Sequence, residues 1–475
     1  MSAENSQITR PDAVDASCRL PVLKLVLGGL AWLIAGLALL LGASLVRQLP
    51  SLGGCEYFGF GKMAAAARVA LTYGFAVQTG LGVGVWILFR SSSRPVPTGL
   101  AVAAGSVMWN IGVATGVVGI ILGEASGIRG LDFPAYTGGI LLAAYFLIGL
   151  AVLVGFGANF RGSLKLPQLL VLAALLWFPW LLTTAQVLVF WMPVRGILPA
   201  LVSSWYEQGL FWGVLTPLTL AALWHVRSED GSPKLARPAF AVLGFWGLLL
   251  LAGWTGATAL VGGPIPAWIS SVGVVAGVLL IIPVVLIGFN LFGRISSPGG
   301  SLAILSGLSF VLTGTLTAMT SLRCANRILH FTVFPQALSE LALLGFVGLG
   351  LLASLYVILP RLAGFAWPRA ELILGHVALS GLGLALSFLP LLLGGWIQGN
   401  HLNLPQWSVN SVNGSLLNCL RLQGLGLLVL LGAQLVFLGH WVLLCVRHFP
   451  AVKQFAIGLI QEEILKTQAT VRSAK

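Results

Sequence analysis

Long runs of apolar residues, separated by short polar segments, recur along the whole chain. Each run is about 20 residues long or more, the length a helix needs to cross a hydrocarbon core ~30 Å thick. A membrane β-barrel would show segments of about 10 residues with alternating polarity. The pattern predicts an all-α integral membrane protein, a bundle of twelve transmembrane helices. The predicted helices cover 22–45, 64–89, 99–123, 136–159, 167–190, 197–224, 238–260, 267–291, 301–320, 332–359, 372–396 and 415–446.

The segments between these runs are short and contain Pro, Gly, Ser or charged residues, as at 91–97 and 228–238. None is long enough to form a separate soluble domain. We expect a cytoplasmic tail over 1–21, a single membrane domain over 22–446 and a second cytoplasmic tail over 447–475.

Composition agrees with this interpretation. Hydrophobic residues make up 57% of the chain and charged residues 8%, and the mean hydropathy is +0.97. These values lie outside the range of soluble domains. The 60 glycines fit a helical bundle, because small residues let helices approach closely in lipid.

The formal net charge of +13 raises the question of nucleic-acid binding. The basic residues are spread singly over the loops, whereas a nucleic-acid site gathers them on one face or in one run. We therefore expect no nucleic-acid partner. Of the 26 Lys and Arg residues, Arg68 and Arg421 lie in or beside predicted helices, six lie on one side of the membrane, and the rest lie on the side of the N-terminus. The six are Arg47, Lys62, Arg129, Arg195, Arg323 and Arg327.

This asymmetry predicts the orientation of the chain. Cytoplasmic loops carry the excess of Lys and Arg in membrane proteins. We therefore expect a multi-pass protein of the cell (inner) membrane with both termini cytoplasmic. The first 20 residues are polar and lack the basic-then-apolar order of a cleavable signal.

The five cysteines contain no Cys-x-x-Cys pair, which argues against a thiolate metal cluster and a covalent haem site. Cys55, Cys324 and Cys419 all fall near the predicted outer face. One disulfide among them is therefore an alternative to ordinary free thiols.

Several short motifs point to a known family. They are Phe60-Gly61-Lys62-Met63, Trp109-Asn110, Leu176-Trp177-Phe178-Pro179-Trp180, Met192-Pro193-Val194-Arg195-Gly196, Gly253-Trp254-Thr255-Gly256, Gly262-Gly263-Pro264-Ile265-Pro266, Leu359-Pro360-Arg361-Leu362 and Gly395-Trp396-Ile397-Gln398-Gly399. Over roughly residues 25–450 the chain resembles subunit I of the haem-copper oxidases, most closely the C-type (cbb-type) branch and its nitric oxide reductase relatives. The resemblance implies a twelve-helix fold that binds two haems and one copper.

The resemblance also implies six histidine ligands, and the chain carries a different residue at each of those positions. In place of the family's Trp-Tyr-x-His it reads Trp205-Tyr206-Glu207-Gln208, and in place of its His-x-His it reads Leu338-Ser339-Glu340. The haem-ligand positions hold Ala67, Leu338 and Glu340; the copper-ligand positions hold Gln208, Thr258 and Ala259; the redox-tyrosine position holds Ala252. None of these is the imidazole that the family uses to bind iron and copper. We therefore expect no catalytic residue, no metal and no cofactor.

The six histidines are candidates for substitute ligands. They are His225, His330, His376, His401, His440 and His448. Only His376 and His440 lie well inside predicted helices, and two imidazoles are too few for a haem pair and a copper site. We interpret these histidines as hydrogen-bonded residues that pack between helices.

Three charged residues lie at or beside the substituted positions: Arg68, Glu207 and Glu340. A charge at the centre of a membrane costs about 2.5–3.5 kcal/mol on insertion scales, so each needs a partner or a wet cavity. We predict a buried ion pair between Arg68 and Glu340. In the alternative, Arg68 extends to the outer interface and Glu340 is protonated. Glu207 is also a candidate proton relay, with Gln208 and Thr258 as its plausible polar neighbours.

Three functions follow from these features. The first is a ligand-depleted homologue of oxidase subunit I, a structural or assembly subunit whose partners are lipid, other oxidase subunits or a ligand-complete homologue. The second is an active terminal oxidase in which Glu340 or Gln208 helps to hold haem, so enzymatic activity stays open. The third is a proton or ion conduit.

Overall fold

The computed structural model of the chain describes residues 12–159, 162–227, 235–292 and 297–447, together with Lys453, Ile457, Gly458 and Gln461. These residues are mostly helical and include no strand. Twelve of their helices are long and apolar enough to cross a membrane. The predicted fold class, a twelve-helix all-α membrane bundle, is confirmed.

The twelve helices follow one another along the chain with short connections. They are α1 (Ala13–Gln48), α2 (Phe60–Ser91), α3 (Gly99–Leu122), α4 (Ala135–Ala158), α5 (Leu166–Trp191), α6 (Leu198–Val226), α7 (Pro238–Leu260), α8 (Ala267–Gly288), α9 (Gly300–Ser321), α10 (Phe334–Ala363), α11 (Ala370–Leu402) and α12 (Val409–Arg447). A short helix, Arg323–Leu329, lies between α9 and α10.

The first helix begins at Ala13, well before the predicted start at residue 22. Pro21, just before the predicted start, lies inside the helix. The added turns are held because Cys18 is buried and Asp15 Oδ1 accepts a 2.9 Å hydrogen bond from Trp86 Nε1 of α2. The predicted N-terminal tail is therefore too long, and residues 1–11 lie outside the described residues, as does most of the tail over 447–475.

Three helices form the centre of the bundle. In the most apolar 18-residue stretches of α2, α6 and α10, 94%, 94% and 89% of residues are buried, whereas the other nine helices reach 39–50%. The other nine therefore surround these three and face lipid on one side. A site built on the inner faces of α2, α6 and α10 is enclosed by protein.

The three central helices share a local irregularity. Each contains a π-helical segment: Ala70–Val77 in α2, Phe211–Leu215 in α6 and Leu341–Gly348 in α10. These segments begin just after Ala67, Gln208 and Glu340, the positions identified from the sequence. Because π-bulges in helices are frequent at functional sites, the backbone is irregular next to the residues of interest. Segments of the same kind also occur in α4 and α5.

Close helix contacts depend on glycine at specific positions. A Cβ atom added to Gly256 would lie 2.4 Å from the backbone oxygen of Ser204, so only glycine lets the C-terminal end of α7 meet α6 there. Likewise, a Cβ on Gly426 of α12 would lie 2.4 Å from the backbone nitrogen of Ser387 in α11. The first of these contacts brings Thr258 and Ala259 towards α6.

Candidate functional site

A cavity of about 280 Å³ lies between α2, α6, α7, α9 and α10. Four of the six residues predicted to stand at the family's ligand positions line it: Gln208, Thr258, Ala259 and Leu338. The three residues predicted at copper-ligand positions and one of those predicted at haem-ligand positions therefore lie around the same cavity.

The other haem-ligand positions lie elsewhere. Glu340 is two residues beyond Leu338, and residues two apart on an α-helix point to nearly opposite faces. Leu338 accordingly lines the cavity while Glu340 faces α1 and α12. Ala67 is fully buried in α2. Ala252, at the redox-tyrosine position, is fully buried in α7, and its backbone oxygen accepts a hydrogen bond from Thr255 Oγ1.

The inner wall of the cavity is rich in hydroxyl and amide groups. The hydroxyl residues of the lining include Thr72, Thr255, Thr258, Thr313, Thr317, Thr320 and Ser321. Gln208 Oε1 accepts a 3.0 Å hydrogen bond from Trp212 Nε1, which orients the amide. Asn326 Nδ2 lies 3.3 Å from the backbone oxygens of Thr258 and Thr320. The wall therefore offers neutral oxygen and nitrogen groups rather than a cluster of charges.

An ion pair borders the cavity on the α2 side. Arg68 donates from Nη2 to Asp132 Oδ1 at 2.5 Å and from Nε to Asp132 Oδ2 at 3.2 Å. The side chain of Asp132 is 6% exposed and that of Arg68 is 47% exposed. A forked pair of this kind combines charge with two directed hydrogen bonds.

The predicted ion pair between Arg68 and Glu340 is therefore wrong. Asp132, on the loop between α3 and α4, supplies the carboxylate for Arg68. Glu340 instead lies on the face of α10 that meets α12. The sequence did not identify Asp132 as a partner of Arg68. Asp132 lies in a loop, and helical periodicity predicts the neighbours of helix residues only.

A second ion pair joins three parts of the fold. Arg129 Nε donates to Glu207 Oε1 at 3.0 Å, and Arg129 Nη2 donates to Ser339 Oγ at 3.2 Å. The loop between α3 and α4 is thus tied to α6 and α10 at the edge of the cavity. The carboxylate of Glu207 is one-third exposed and paired, so it is not the isolated intramembrane acid considered from the sequence. Its role as a proton relay stays a prediction.

Two tyrosines complete the polar border. The hydroxyl oxygens of Tyr73 and Tyr206 lie 2.6 Å apart, and Tyr73 donates to the backbone oxygen of Gly130 at 2.7 Å. Both side chains are buried. The pair connects α2 to α6 and fixes the loop that carries Arg129 and Asp132.

Glu340 belongs to a separate polar network between α1, α10 and α12. Its Oε1 accepts hydrogen bonds from Gln336 Nε2 at 3.0 Å and from Gln423 Nε2 at 2.7 Å. Ser44 donates to Gln423 Oε1 at 3.0 Å, and Arg47 donates to Gln336 Oε1 at 3.1 Å. The carboxylate is thus bound by two amides, and Arg47 acts on it through Gln336.

The histidines take different environments. His330 lines the cavity, and it is the only histidine among the described lining residues. Burial, together with the nearby Arg129 guanidinium, lowers the pKa of His330 below its ordinary value of 6.5. His376 is buried and its Nδ1 lies 2.9 Å from the Tyr356 hydroxyl, so its interpretation as a hydrogen-bonded packing residue is confirmed.

His440 differs from that interpretation. Neither ring nitrogen has a hydrogen-bond partner within the described part of the chain. The ring packs instead against the indole of Trp367, at 4.6 Å between centroids. The cysteines are all free thiols, so the alternative of a disulfide at the outer face does not hold.

The sequence missed several residues of this site. Asp132 and Arg129 border the cavity from a loop, and Gln423 reaches Glu340 from α12. Two features of the sequence could have indicated these residues. One is an acidic residue within the apolar segment Leu131-Asp132-Phe133, and the other is Gln423 inside a long apolar run. Either signal marks a buried polar group that needs a partner, but neither identifies that partner.

Comparisons with known proteins agree on the fold. The family model of cytochrome C and quinol oxidase polypeptide I matches residues 21–424. A chain from the cryo-EM structure of a haem-copper terminal oxidase dimer superposes with a TM-score of 0.69 and 13% sequence identity, over 91% of this chain and 84% of that one. No curated protein sequence matches the chain.

These comparisons contradict the expectation that the chain takes no cofactor, because both the family and the structural neighbour point to haem and copper. The donor set at the cavity, however, does not fit an imidazole-ligated haem and copper pair. Gln208, Thr258 and Leu338 offer amide, hydroxyl and methyl groups, and within the described residues no three His, Cys, Asp or Glu side chains cluster closely enough to hold a metal ion. No reaction step is therefore assigned to these groups.

The match to the family model covers most of the chain, from the first transmembrane helix into the last. The twelve-helix architecture and the convergence of Gln208, Thr258, Ala259 and Leu338 at one cavity agree with it. The chain therefore belongs to the cytochrome C and quinol oxidase polypeptide I family.

Proposed function

We propose that this subunit I homologue is a structural or assembly subunit of a membrane-embedded oxidase complex and does not itself reduce oxygen. The observation that carries the proposal is the lining of the central cavity. Its four substituted ligand positions carry amide, hydroxyl and aliphatic side chains. The proposal concerns oxygen reduction and leaves the binding of haem or copper to measurement.

The border of the cavity supports the proposal. Arg68 pairs with Asp132, and Arg129 binds both Glu207 and Ser339. These contacts link α2, α6, α10 and the loop between α3 and α4 through fixed side chains. Polar groups that bind one another in this way stabilise the helix arrangement.

The Glu340 network supports the same role on the other side of α10. A buried carboxylate that accepts two amide hydrogen bonds joins α10 to α12, and Ser44 extends the network to α1. Buried polar groups that are hydrogen-bonded across helices favour one arrangement of those helices. A rigid bundle is what an assembly subunit presents to its partners.

Three finer features belong to the same proposal. The motifs of the sequence favour the C-type branch of the family. The asymmetry of basic residues favours a cytoplasmic location for both termini. The partners we propose are other oxidase subunits, including a homologue that carries the complete set of histidines.

Oxygen consumption tests the proposal directly. The protein is purified in detergent and supplied with reduced quinol or a reduced cytochrome, with a ligand-complete subunit I as the positive control. We expect no cyanide-sensitive oxygen uptake above the rate without protein. Reduced-minus-oxidised spectra, with and without carbon monoxide, and elemental analysis report haem and copper in the same sample. Cyanide-sensitive uptake together with a carbon monoxide-binding haem would overturn the proposal.

The assembly role has its own test. Deletion of the gene in its native host is expected to lower the amount of assembled oxidase complex, measured by native gel electrophoresis of solubilised membranes. Re-expression of the chain restores the complex. An unchanged amount of complex after deletion contradicts the assembly role even if oxygen uptake is absent.

A further inference from the structure

A second concave feature lies on the lipid-facing surface, away from the central cavity. It is a groove of about 360 Å³ between α7 and α8. Its lining residues include Leu250 and Trp254 of α7 and Val272, Val275 and Leu279 of α8, with Ser271 as the one hydroxyl. Leu250 is 71% exposed and Val275 is 56% exposed, so no other part of the described chain covers the groove.

The groove has the depth of one membrane leaflet. Ser271 lies four residues after the start of α8 at Ala267, or ~6 Å along the axis at 1.5 Å per residue. Leu279 lies twelve residues after that start, or ~18 Å along the axis. On α8 the groove is therefore ~12 Å long, and it ends near the middle of a hydrocarbon core that is ~30 Å thick.

A cationic group lies at the shallow end of the groove. Arg323 Nη2 donates to Ser271 Oγ at 2.8 Å. Arg327 lies one turn further along the same short helix, so both side chains fall on one face. Both arginines are exposed, and neither forms an ion pair within the described residues. Trp254 and Trp268, at the same end of α7 and α8, are half-exposed or more, as is common for tryptophan at a membrane interface.

We propose that this groove is a binding site for one anionic phospholipid. An acyl chain lies against Leu250, Val275 and Leu279, and the phosphate accepts hydrogen bonds from Arg323 and Arg327. Guanidinium groups bind phosphate by parallel, charge-assisted hydrogen bonds. The apolar groove matches the acyl chain of a phospholipid, and the two arginines at its end, which form no ion pair within the described residues, match the phosphate.

A second copy of the chain fits the groove less well. Two copies related by a two-fold axis along the membrane normal would place both Arg323 side chains at the same depth. Among the described residues that line the groove, none is acidic and could offset that repulsion. The lipid site does not depend on the proposed function and holds whether or not the chain reduces oxygen.

Lipid titration followed by native mass spectrometry tests the proposal. The delipidated protein is titrated with phosphatidylglycerol, and in parallel with phosphatidylcholine. We expect one phosphatidylglycerol to bind in preference. Arg323→Gln should lower its association constant about tenfold, the effect of one charge-assisted hydrogen bond. Arg195→Gln removes an exposed arginine from another loop on the same side and should leave binding unchanged.

A groove-filling variant separates the acyl-chain contact from the charge. Ala276→Leu places a larger side chain on the groove wall and should weaken both lipids equally, while the unfolding midpoint shows that the variant is folded. Equal effects of Arg323→Gln and Arg195→Gln, or equal binding of both lipids by the unsubstituted protein, would overturn the proposal. A lipid-free dimer that dissociates on Ala276→Leu would assign the groove to a second copy instead.

Discussion

Substitution of Arg68 by glutamine tests the central electrostatic contact of the site. The variant removes the guanidinium that binds both carboxylate oxygens of Asp132. Because the Asp132 side chain is only 6% exposed, its charge is left in a buried position without its cation. The expected result is a folded but less stable protein.

The magnitude follows from the burial of the two partners. Exposed ion pairs contribute about 0.2–1 kcal/mol, and removal of one partner from a fully buried pair costs about 3–5 kcal/mol. The pair of Arg68 and Asp132 lies between these limits, since one side chain is 47% exposed and the other is 6% exposed. We expect Arg68→Gln to lower the free energy of unfolding by about 2 kcal/mol.

A double-mutant cycle assigns the partner of Arg68. The free energy of unfolding is measured in mixed micelles with increasing SDS, followed by tryptophan fluorescence. Arg68→Gln and Asp132→Asn are compared singly and together, and we expect a coupling energy of about 1.5 kcal/mol. The matched cycle of Arg68→Gln with Glu340→Gln should be additive within about 0.5 kcal/mol, because the two residues share no partner.

Two outcomes would contradict the role of Asp132 as the partner of Arg68. If the coupling of Arg68 to Glu340 equals or exceeds its coupling to Asp132, the forked pair described for the loop is not the contact that stabilises Arg68. Additivity in both cycles would equally refute a role for the pair in stability.

Three further predictions concern other parts of the bundle. Glu340→Leu should lower the free energy of unfolding by about 2–3 kcal/mol, because the buried amide of Gln423 and the half-buried amide of Gln336 lose their acceptor, and Glu340→Gln should cost less than half as much in the same SDS assay. Burial lowers the pKa of His330, so the unfolded state binds more protons below about pH 6.5. Stability should fall as pH decreases from 7 to 5, and His330→Asn should flatten that dependence. Gly426→Ala should destabilise the bundle by about 1–3 kcal/mol, because its Cβ would lie 2.4 Å from the backbone nitrogen of Ser387, whereas Gly432→Ala on the same helix meets nothing within 4 Å and should be neutral or stabilising in thermal unfolding.

Each of these outcomes has a contrary result. Equal losses for Glu340→Leu and Glu340→Gln would show that the carboxylate does not bind the two amides as described. An unchanged pH profile in His330→Asn would assign the acid sensitivity to other groups. Similar midpoints for Gly426→Ala and Gly432→Ala would mean that α11 and α12 are not in close backbone contact at Ser387.

The cofactors expected of the family and the side chains that line the cavity disagree, and this disagreement decides which experiment comes first. Membership of the oxidase family points to haem and copper, while the side chains at the cavity offer one histidine, His330, among its described lining residues. Haem and copper analysis of the purified protein therefore comes before any interpretation of the ion pairs in terms of redox chemistry. The stability predictions above do not depend on its result.

The sequence by itself determined the fold class and the number of helices. Whether a segment crosses a membrane depends on the length and polarity of that segment alone, so each of the twelve runs could be recognised without knowledge of its neighbours. The motifs assigned the predicted ligand positions to helices from sequence alone, because the position of a residue along one helix is a local property, and four of those residues line one cavity. Only the ends of the helices were displaced, as at Ala13, where packing of Cys18 and the bond from Trp86 to Asp15 extend α1 beyond Pro21.

The tertiary structure alone decided which polar groups meet. The sequence offered Glu340 as the carboxylate for Arg68, and the observed pairing with Asp132 depends on the rotation of α10 and on the path of a loop. Leu338 and Glu340, only two residues apart, belong to different environments because opposite faces of one helix meet different neighbours. A buried charge requires a partner, which composition can predict, but the identity of that partner is set by the distance between helices that lie far apart in the chain.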